Sequence, residues 1–316
     1  MIKFRTEIRV PDSSFKLSYL KSVFSIGSCF TEHIHDRLKL GYFKSYSNPC
    51  GIVYNPGSIN VQMMHLIHNL EWTKDDLIEH DGLYHGLHHH GVFSNVDPEK
   101  TLNNMNTAMS LARQHIRSSA FLLLTFGSAV VYTLIEKNKI VANCHKIPSN
   151  RFEKRLLDVE EIVEATKAWI TSLMAINQKI KIILTISPIR YLKDGFDGNS
   201  RNKARLILAA EQLCASFPQL YYFPAYEIVM DDLRDYRFYK EDMVHPNDLA
   251  INYIWDIFKS TFMDKETLDL NGKLSSIRQG LAHRPLHPDS PGHLRFKKQL
   301  EKSIEEIRFQ NPFIEF

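Results

Sequence analysis

Two short segments, far apart in the chain, carry residue types suited to nucleophilic and acid–base chemistry. The first is Phe24-Ser25-Ile26-Gly27-Ser28-Cys29-Phe30. A strand-like run passes into Gly-Ser and then directly into a helical pattern. That order presents the Ser28 hydroxyl where the first N–H groups of the helix converge, and such groups stabilise an anionic oxygen. The same position also suits a plain helix cap, because serine is a favoured N-cap residue. The segment lacks the G-x-S-x-G pattern of a nucleophile elbow. The second segment is Glu241-Asp242-Met243-Val244-His245-Pro246-Asn247. Its D-x-x-H spacing lets one loop deliver a carboxylate and an imidazole together, the carboxylate orienting the ring and offsetting its charge. Pro246 disfavours a helical conformation at His245, which suits a loop. An exposed Asp–His pair without a catalytic role has the same spacing.

Small polar positions between the two segments supply candidate donors. They are Asn48-Pro49-Cys50-Gly51, Gly127-Ser128 and Asn143-Cys144-His145-Lys146. Glycine at 51 and 127 lets backbone N–H groups approach a substrate oxygen. Ser128 or Asn143 could add a side-chain donor, and His145 lies beside Asn143. Turns and strand ends account for the same residues without chemistry. A separate cluster, His85, His88, His89 and His90, sits in a stretch with His80 and Asp81. Neutral imidazoles are ligands for zinc, copper and nickel. Gly82 and Gly86 argue against a helix that would align His85 with His89. The cluster therefore reads as a polar loop or as a metal site. The aromatics Tyr221, Tyr222, Phe223, Tyr226, Tyr236, Phe238 and Tyr239 either stack on a sugar ring or pack as core.

The elements that must position these residues alternate between strand and helix. Ser22–Ile26 reads as a buried strand followed by a helix over Cys29–Leu40. Ser58 reads as the N-cap of a helix over Ile59–Leu70, Thr73–Asn95 as a polar stretch, and Pro98–Arg117 as a helix. The run FLLLTFG ends at Gly127 as a buried strand. Ala129–Ile135 and Lys139–Asn143 read as a hairpin. Asp158 and Glu161 form a capping box for a helix to Ile176. Ile180–Ile186 is the clearest buried strand, and Arg201–Ser216, Tyr221–Phe223 and Asp248–Phe262 read as helix, strand and helix. This alternation predicts an α/β fold, a mostly parallel sheet with helices on both faces. Its ligand site then lies beyond the carboxyl ends of the strands, where Gly27-Ser28, Gly127-Ser128 and Ser187-Pro188 fall. Residues 276–295 read as irregular chain and 295–308 as a charged amphipathic helix.

Composition narrows the class. The 316 residues are 44% hydrophobic and 24% charged, with a formal net charge of +3. That mild balance gives no reason to expect nucleic acid or a membrane surface as partner. Charges at Lys3, Arg5, Glu7 and Arg9 interrupt the start, so no signal-peptide core is read, and no apolar run reaches the roughly 18 residues of a membrane span. Cys29, Cys50, Cys144 and Cys214 are scattered and read as reduced thiols. The expected location is the cytoplasm. Oligomeric state is not legible.

Taken in order, these segments resemble the GSCFA domain family, within the SGNH (GDSL-like) hydrolases. The resemblance rests on Gly27-Ser28-Cys29-Phe30, NPCGIVYNP (48–56), TFGSAVVY (125–132), VANCHKIP (141–148), SPIRYLKDG (187–195) and DLRDYRFYKEDMVHP (232–246), over roughly residues 22–260. It implies a three-layer α/β/α, flavodoxin-like domain over 1–265 with a C-terminal extension, irregular then helical, over 266–316. It implies Ser28 as nucleophile, His245 as base and Asp242 as the residue orienting it, with the Ser28 N–H and Gly51 in the oxyanion hole. His90, before Gly91 and Phe93, fits the same pattern as a pocket residue. The implied reaction is hydrolysis of an O-acyl ester, such as an acetyl group on a carbohydrate or other small polar molecule, without a cofactor. One departure stands out. The third block of such enzymes is G-x-N-D, and here the strand ends Phe126-Gly127-Ser128-Ala129 with no asparagine. Asn143 or Ser128 is left to supply the donor. Two other readings remain: a metal-binding protein using the histidine cluster, and a ligand-binding module that keeps the fold without the rate.

Overall fold

The computed structural model describes residues 5–314. Strand β1 (Val23–Gly27) runs into α1 (Cys29–Leu40), then β2 (Ser45–Ser47) and α2 (Pro56–Ile67). A hairpin, β3 (Leu77–His80) and β4 (Leu83–Gly86), precedes α3 (Pro98–Ser118) and β5 (Phe121–Phe126). Three further strands, β6 (Val130–Leu134), β7 (Lys139–Val141) and β8 (Phe152–Leu156), form an antiparallel sheet in the order β7-β6-β8. Then come α4 (Val159–Ile176), β9 (Lys181–Ile186), α5 (Gly195–Ser216), β10 (Leu220–Phe223) and the single turn α6 (Ala225–Glu227). Helices α7 (Asp248–Phe262), α8 (Lys265–Ala282) and α9 (Pro291–Gln310) complete the chain.

The main sheet has the order β10-β9-β5-β1-β2, and every pairing in it is parallel. Both its faces are covered, which is why β5 and β9 read as unbroken apolar runs rather than alternating ones. Phe121 and Leu123 of β5 enter a core with Phe30, Ile34 and Leu38 of α1 and Phe258 of α7. Leu122, Leu124 and Phe126 enter the opposite core with Met105 of α3, Trp169 of α4 and Leu206 of α5. The result is the expected α/β/α sandwich. Counted among themselves, the five strands run 2-1-3-4-5, so the winding reverses between β1 and β5. In such sheets that reversal opens a crevice at the carboxyl ends. Gly27 stands there with φ +143°, and a Cβ on it would lie 2.3 Å from the Thr125 carbonyl oxygen. Only glycine lets the last residue of β1 pass that close to β5.

Several local readings shift. Asn55, not Ser58, caps α2, accepting from Ser58 N–H at 2.7 Å with Pro56 in the first turn. The Ser58 hydroxyl instead donates to Val141 O at 3.1 Å. The stretch read as polar loop contains the β3–β4 hairpin, turning on Asp81 (φ 52°) and Gly82 (φ 71°). Asp-Gly is a favoured two-residue hairpin turn, so the signal was present. The chain expected to be irregular from residue 276 is helical through Ala282, and only 283–290 is irregular. Leu274 and Ile277 of α8 and Ile307 of α9 join the core beside α1 and α7.

Candidate active site

Ser28 is the first residue after β1 and stands at the N-cap position of α1, yet its side chain makes no capping hydrogen bond. The residue is 1% exposed, and its Oγ has no hydrogen-bond partner among the described residues. A serine kept for capping would be bonded to the first turn of its helix. The first bond of α1 is Thr31 N–H to Ser28 O at 2.8 Å. The N–H groups of Cys29 and Phe30 thus stay outside the helical ladder.

Asp242 and His245 form a closed unit. His245 Nδ1 lies 2.6 Å from Asp242 Oδ2, while Asp242 Oδ1 accepts from the Val244 and His245 N–H groups, each at 2.9 Å. Those two backbone donors, followed by the ring itself, pull the Asp242 carboxyl down to about 2. It is ionised at neutral pH, so it holds the proton of the ring on Nδ1 and leaves Nε2 as the basic nitrogen. The loop is tied on both sides. Lys240 N–H donates to His245 O at 2.7 Å, and Asn247 caps α7 by accepting from Ala250 N–H at 3.1 Å. Arg190, which sequence reasoning passed over, donates to the Met243 carbonyl and lies 4.4 Å from the centre of the Tyr239 ring.

Ser28 and His245 line one cavity of about 900 Å³, with Gly127, Ser128, Asn143 and His90 also in its wall. The fold therefore gathers segments spread from residue 28 to residue 245 at the switch point of the sheet. Ser28 Oγ and the His245 ring share that space without a hydrogen bond between them.

The model of the GSCFA family matches residues 22–258, three-quarters of the chain, and that of the GSCFA domain protein, C-terminal domain, matches 274–316. The chain belongs to the GSCFA family. No curated protein matches it. Among solved structures, a Clostridium thermocellum family 3 carbohydrate esterase is similar at 8% identity, covering 81% of this chain and 98% of that chain, with a TM-score of 0.36.

The backbone donors expected of this GSCFA chain are mostly used elsewhere. Gly51 N–H closes a turn onto Asn48 O at 2.8 Å, and Gly51 is not part of the cavity wall, whereas Ile52 is. Its glycine serves another need: at φ +85°, a Cβ there would lie 2.3 Å from His90 Cβ. The N–H groups of Gly127 and Ser128 both donate to Tyr54 O at 2.8 Å. Gly127 itself permits a close approach, since a Cβ on it would fall 2.9 Å from that oxygen and 3.1 Å from Ser28 Cβ. Asn143 accepts from His145 N–H at 2.9 Å through its carbonyl oxygen, leaving Nδ2 without a partner among the described residues.

His145 is drawn away from the cavity. Its Nε2 lies 2.9 Å from Gly86 O and its ring stacks on His85 at 4.5 Å. The other histidines are likewise committed to separate contacts. His85 Nδ1 meets Ser94 Oγ at 2.7 Å, His88 stacks on Trp72 at 5.0 Å, and His89 packs edge-on between Trp72 and Phe93. Among the described residues no group of three or more His, Cys, Asp or Glu side chains is arranged to hold a metal ion. His90 alone of the cluster reaches the cavity wall.

Below the site lies a lysine that the sequence reading did not single out, within the helix read over Arg201–Ser216. Lys203 of α5 is 1% exposed, and its Nζ donates to Gly127 O at 2.8 Å and Ser187 O at 2.7 Å. Burial pushes its ammonium down to about 7. Its neighbour Asn202, also 1% exposed, bonds Ser128 Oγ and Ala129 N–H.

Proposed function

We propose that this protein is a serine hydrolase of the SGNH type that cleaves an O-acyl ester. The observation that carries this reading is the buried, unpartnered Ser28 Oγ at the switch point of the sheet, in one cavity with an imidazole already oriented by an ionised carboxylate. In the mechanism, Ser28 Oγ attacks the ester carbonyl carbon and its proton passes to His245 Nε2. Asp242 holds the ring by Nδ1–H and offsets the imidazolium charge. The carbonyl oxygen becomes an oxyanion facing the unladdered N–H groups of α1. Collapse of the tetrahedral adduct breaks the ester C–O bond, His245 returns the proton to the leaving alcohol, and the acyl group stays on Ser28. Water, deprotonated by the same imidazole, then releases the acid and restores Ser28.

Cys29 borders the cavity too, but burial pushes its thiol up, so it stays protonated and is the poorer nucleophile. Among the described residues no Asp or Glu lines the cavity, and Val130, Val141, Ile147 and Ile189 do. Arg190 and Lys193 line it as well, so the wall suits an ester on a small molecule that is neutral or anionic, including an acylated sugar. Fluorophosphonate labelling tests the reading. Wild-type protein is expected to label at Ser28, Ser28→Ala to remain unlabelled, and His245→Ala to label far more slowly. Labelling that survives in Ser28→Ala would place the nucleophile elsewhere.

A further inference from the structure

Counted from Gly127, the asparagine position of G-x-N-D falls on Ala129; the polar side chain beside it is Ser128, and its surroundings restrict what its hydroxyl can do. A serine hydroxyl has two acceptor sites and one proton. Val130 N–H occupies one acceptor site at 3.0 Å and Asn202 Nδ2 the other at 2.9 Å. The amide of Asn202 cannot be turned the other way. Its second atom faces Ala129 N–H at 2.6 Å, and a backbone N–H can only donate, so that atom must be the carbonyl oxygen. Ser128 Oγ is therefore left with its O–H alone to offer, and no described residue accepts it. The residue is 5% exposed, lines the cavity, and follows Gly127, whose Cβ position lies 3.1 Å from Ser28 Cβ. Lys203 fixes the other side of the same turn by donating to Gly127 O, and joins it to the end of β9 through Ser187 O.

We propose that Ser128 is the side-chain donor to the oxyanion, and that Asn202 and Lys203 are positioning residues that aim its proton into the cavity. The inference rests on the hydrolase reading and goes beyond it. The sequence alone left Asn143 and Ser128 as alternatives for this role, and the amide of Asn143 has the longer reach. Here Asn143 stands on a turn whose next residues, His145 and Lys146, have φ 49° and 60°, and its carbonyl oxygen already closes that turn. Two consecutive α5 side chains, both buried, serve the 127–129 turn instead. A buried amide and a buried ammonium are costly to desolvate unless their hydrogen bonds are made; Asn202 makes both of its bonds to this turn, and Lys203 makes one to it and one to Ser187 O.

The isosteric variant Asn202→Asp tests the orientation. One carboxylate oxygen still accepts from Ala129 N–H, but the other can only accept, so it recruits the Ser128 proton away from the cavity. The readout is the rate of Ser28 phosphonylation by a fluorophosphonate, split into kinact and KI, which needs no knowledge of the natural ester. Ser128→Ala and Asn202→Asp are each expected to lower kinact about 10²-fold with KI changed less than about threefold. The double variant should be no slower than Ser128→Ala alone, because the positioning residue acts only through Ser128. Asn143→Ala should stay within about threefold of wild type. A purely structural role for Asn202 would lower the melting temperature without this split. If melting shows Asn202→Asp to be unfolded, Asn202→Leu replaces it in the cycle. Ser128→Ala labelling at the wild-type rate overturns the donor, and multiplied losses in the double variant overturn the positioning. A wild-type protein that does not label at all overturns the hydrolase reading instead, and this inference with it.

Discussion

Lowering the pH from 7.5 to 5.5 is expected to weaken this protein by several kcal/mol through histidines that the fold keeps neutral. His89 is 1% exposed, with neither ring nitrogen partnered among the described residues. His88 lies against Trp72, and His145 spends its Nε2 on Gly86 O. Burial, the largest cause in each case, holds His89 at about 3 and His88 and His145 at about 4. The unfolded chain titrates near 6.5. Because the folded values are depressed, the unfolded chain takes up protons first. The stability held above pH 6.5 is then lost as pH falls from there toward about 4. One pH unit below the unfolded value, each histidine costs about 1.4 kcal/mol relative to pH 7.5, so the three cost about 4 kcal/mol. That compares with a total stability of roughly 5–15 kcal/mol for a typical domain. His33, His35 and His65 are shifted the same way by burial and add to the loss. Asp76 and Asp242 are held below 3.8 and titrate outside this window. Urea unfolding at the two pH values, followed by the fluorescence of Trp72 and its fellow tryptophans, measures the difference. His89→Phe fits the same aromatic slot and removes two unsatisfied nitrogens. It should be no less stable at pH 7.5 and should recover about 1.4 kcal/mol of the acid loss. Equal stability at both pH values, or an undiminished acid loss in His89→Phe, refutes the reasoning.

Three further outcomes are expected. Ser28→Ala should change stability by less than the roughly 0.5–2 kcal/mol of a lost cap, because no capping bond exists to lose, and thermal melting checks this. Asp242→Asn should keep an acceptor for the Val244 and His245 N–H groups but fix the wrong ring tautomer. Hydrolysis of p-nitrophenyl acetate should then fall on the order of 10³–10⁴-fold in kcat with the fold retained, and a loss under tenfold would count against His245 as base. Gly27→Ala forces a methyl against the Thr125 carbonyl at a backbone angle that disfavours any side chain. It should cost at least about 1–3 kcal/mol, read as a lowered melting temperature or loss of soluble protein.

The sequence alone was enough for the α/β/α architecture, because a strand buried on both faces must be a short unbroken apolar run and a surface helix must repeat near 3.6 residues. Cys29–Leu40, Phe121–Phe126 and the capped α4 were legible for that reason. So was the Asp242–His245 pair, whose hydrogen bonds all fall within four consecutive residues. What could not be read locally depends on contacts between distant segments. The histidines at 85, 88 and 89 are polar by type and looked like a surface loop or metal ligands. Only the packing of Trp72, Phe93 and His145 against them makes them core. Gly51 and Gly127 were recognised as places of close approach, but not what approaches them: His90 in one case, Tyr54 and Ser28 in the other. Lys203 and Asn202 gave no signal, since a lysine and an asparagine on a helix are ordinarily solvated. Their burial follows from where α5 crosses the ends of β5 and β9. Sequence determines which groups are present and which secondary structure carries them. Which donors remain free at Ser28 is decided by the tertiary fold, because a hydrogen-bond donor spent on a distant carbonyl looks, in the sequence, the same as one left to react.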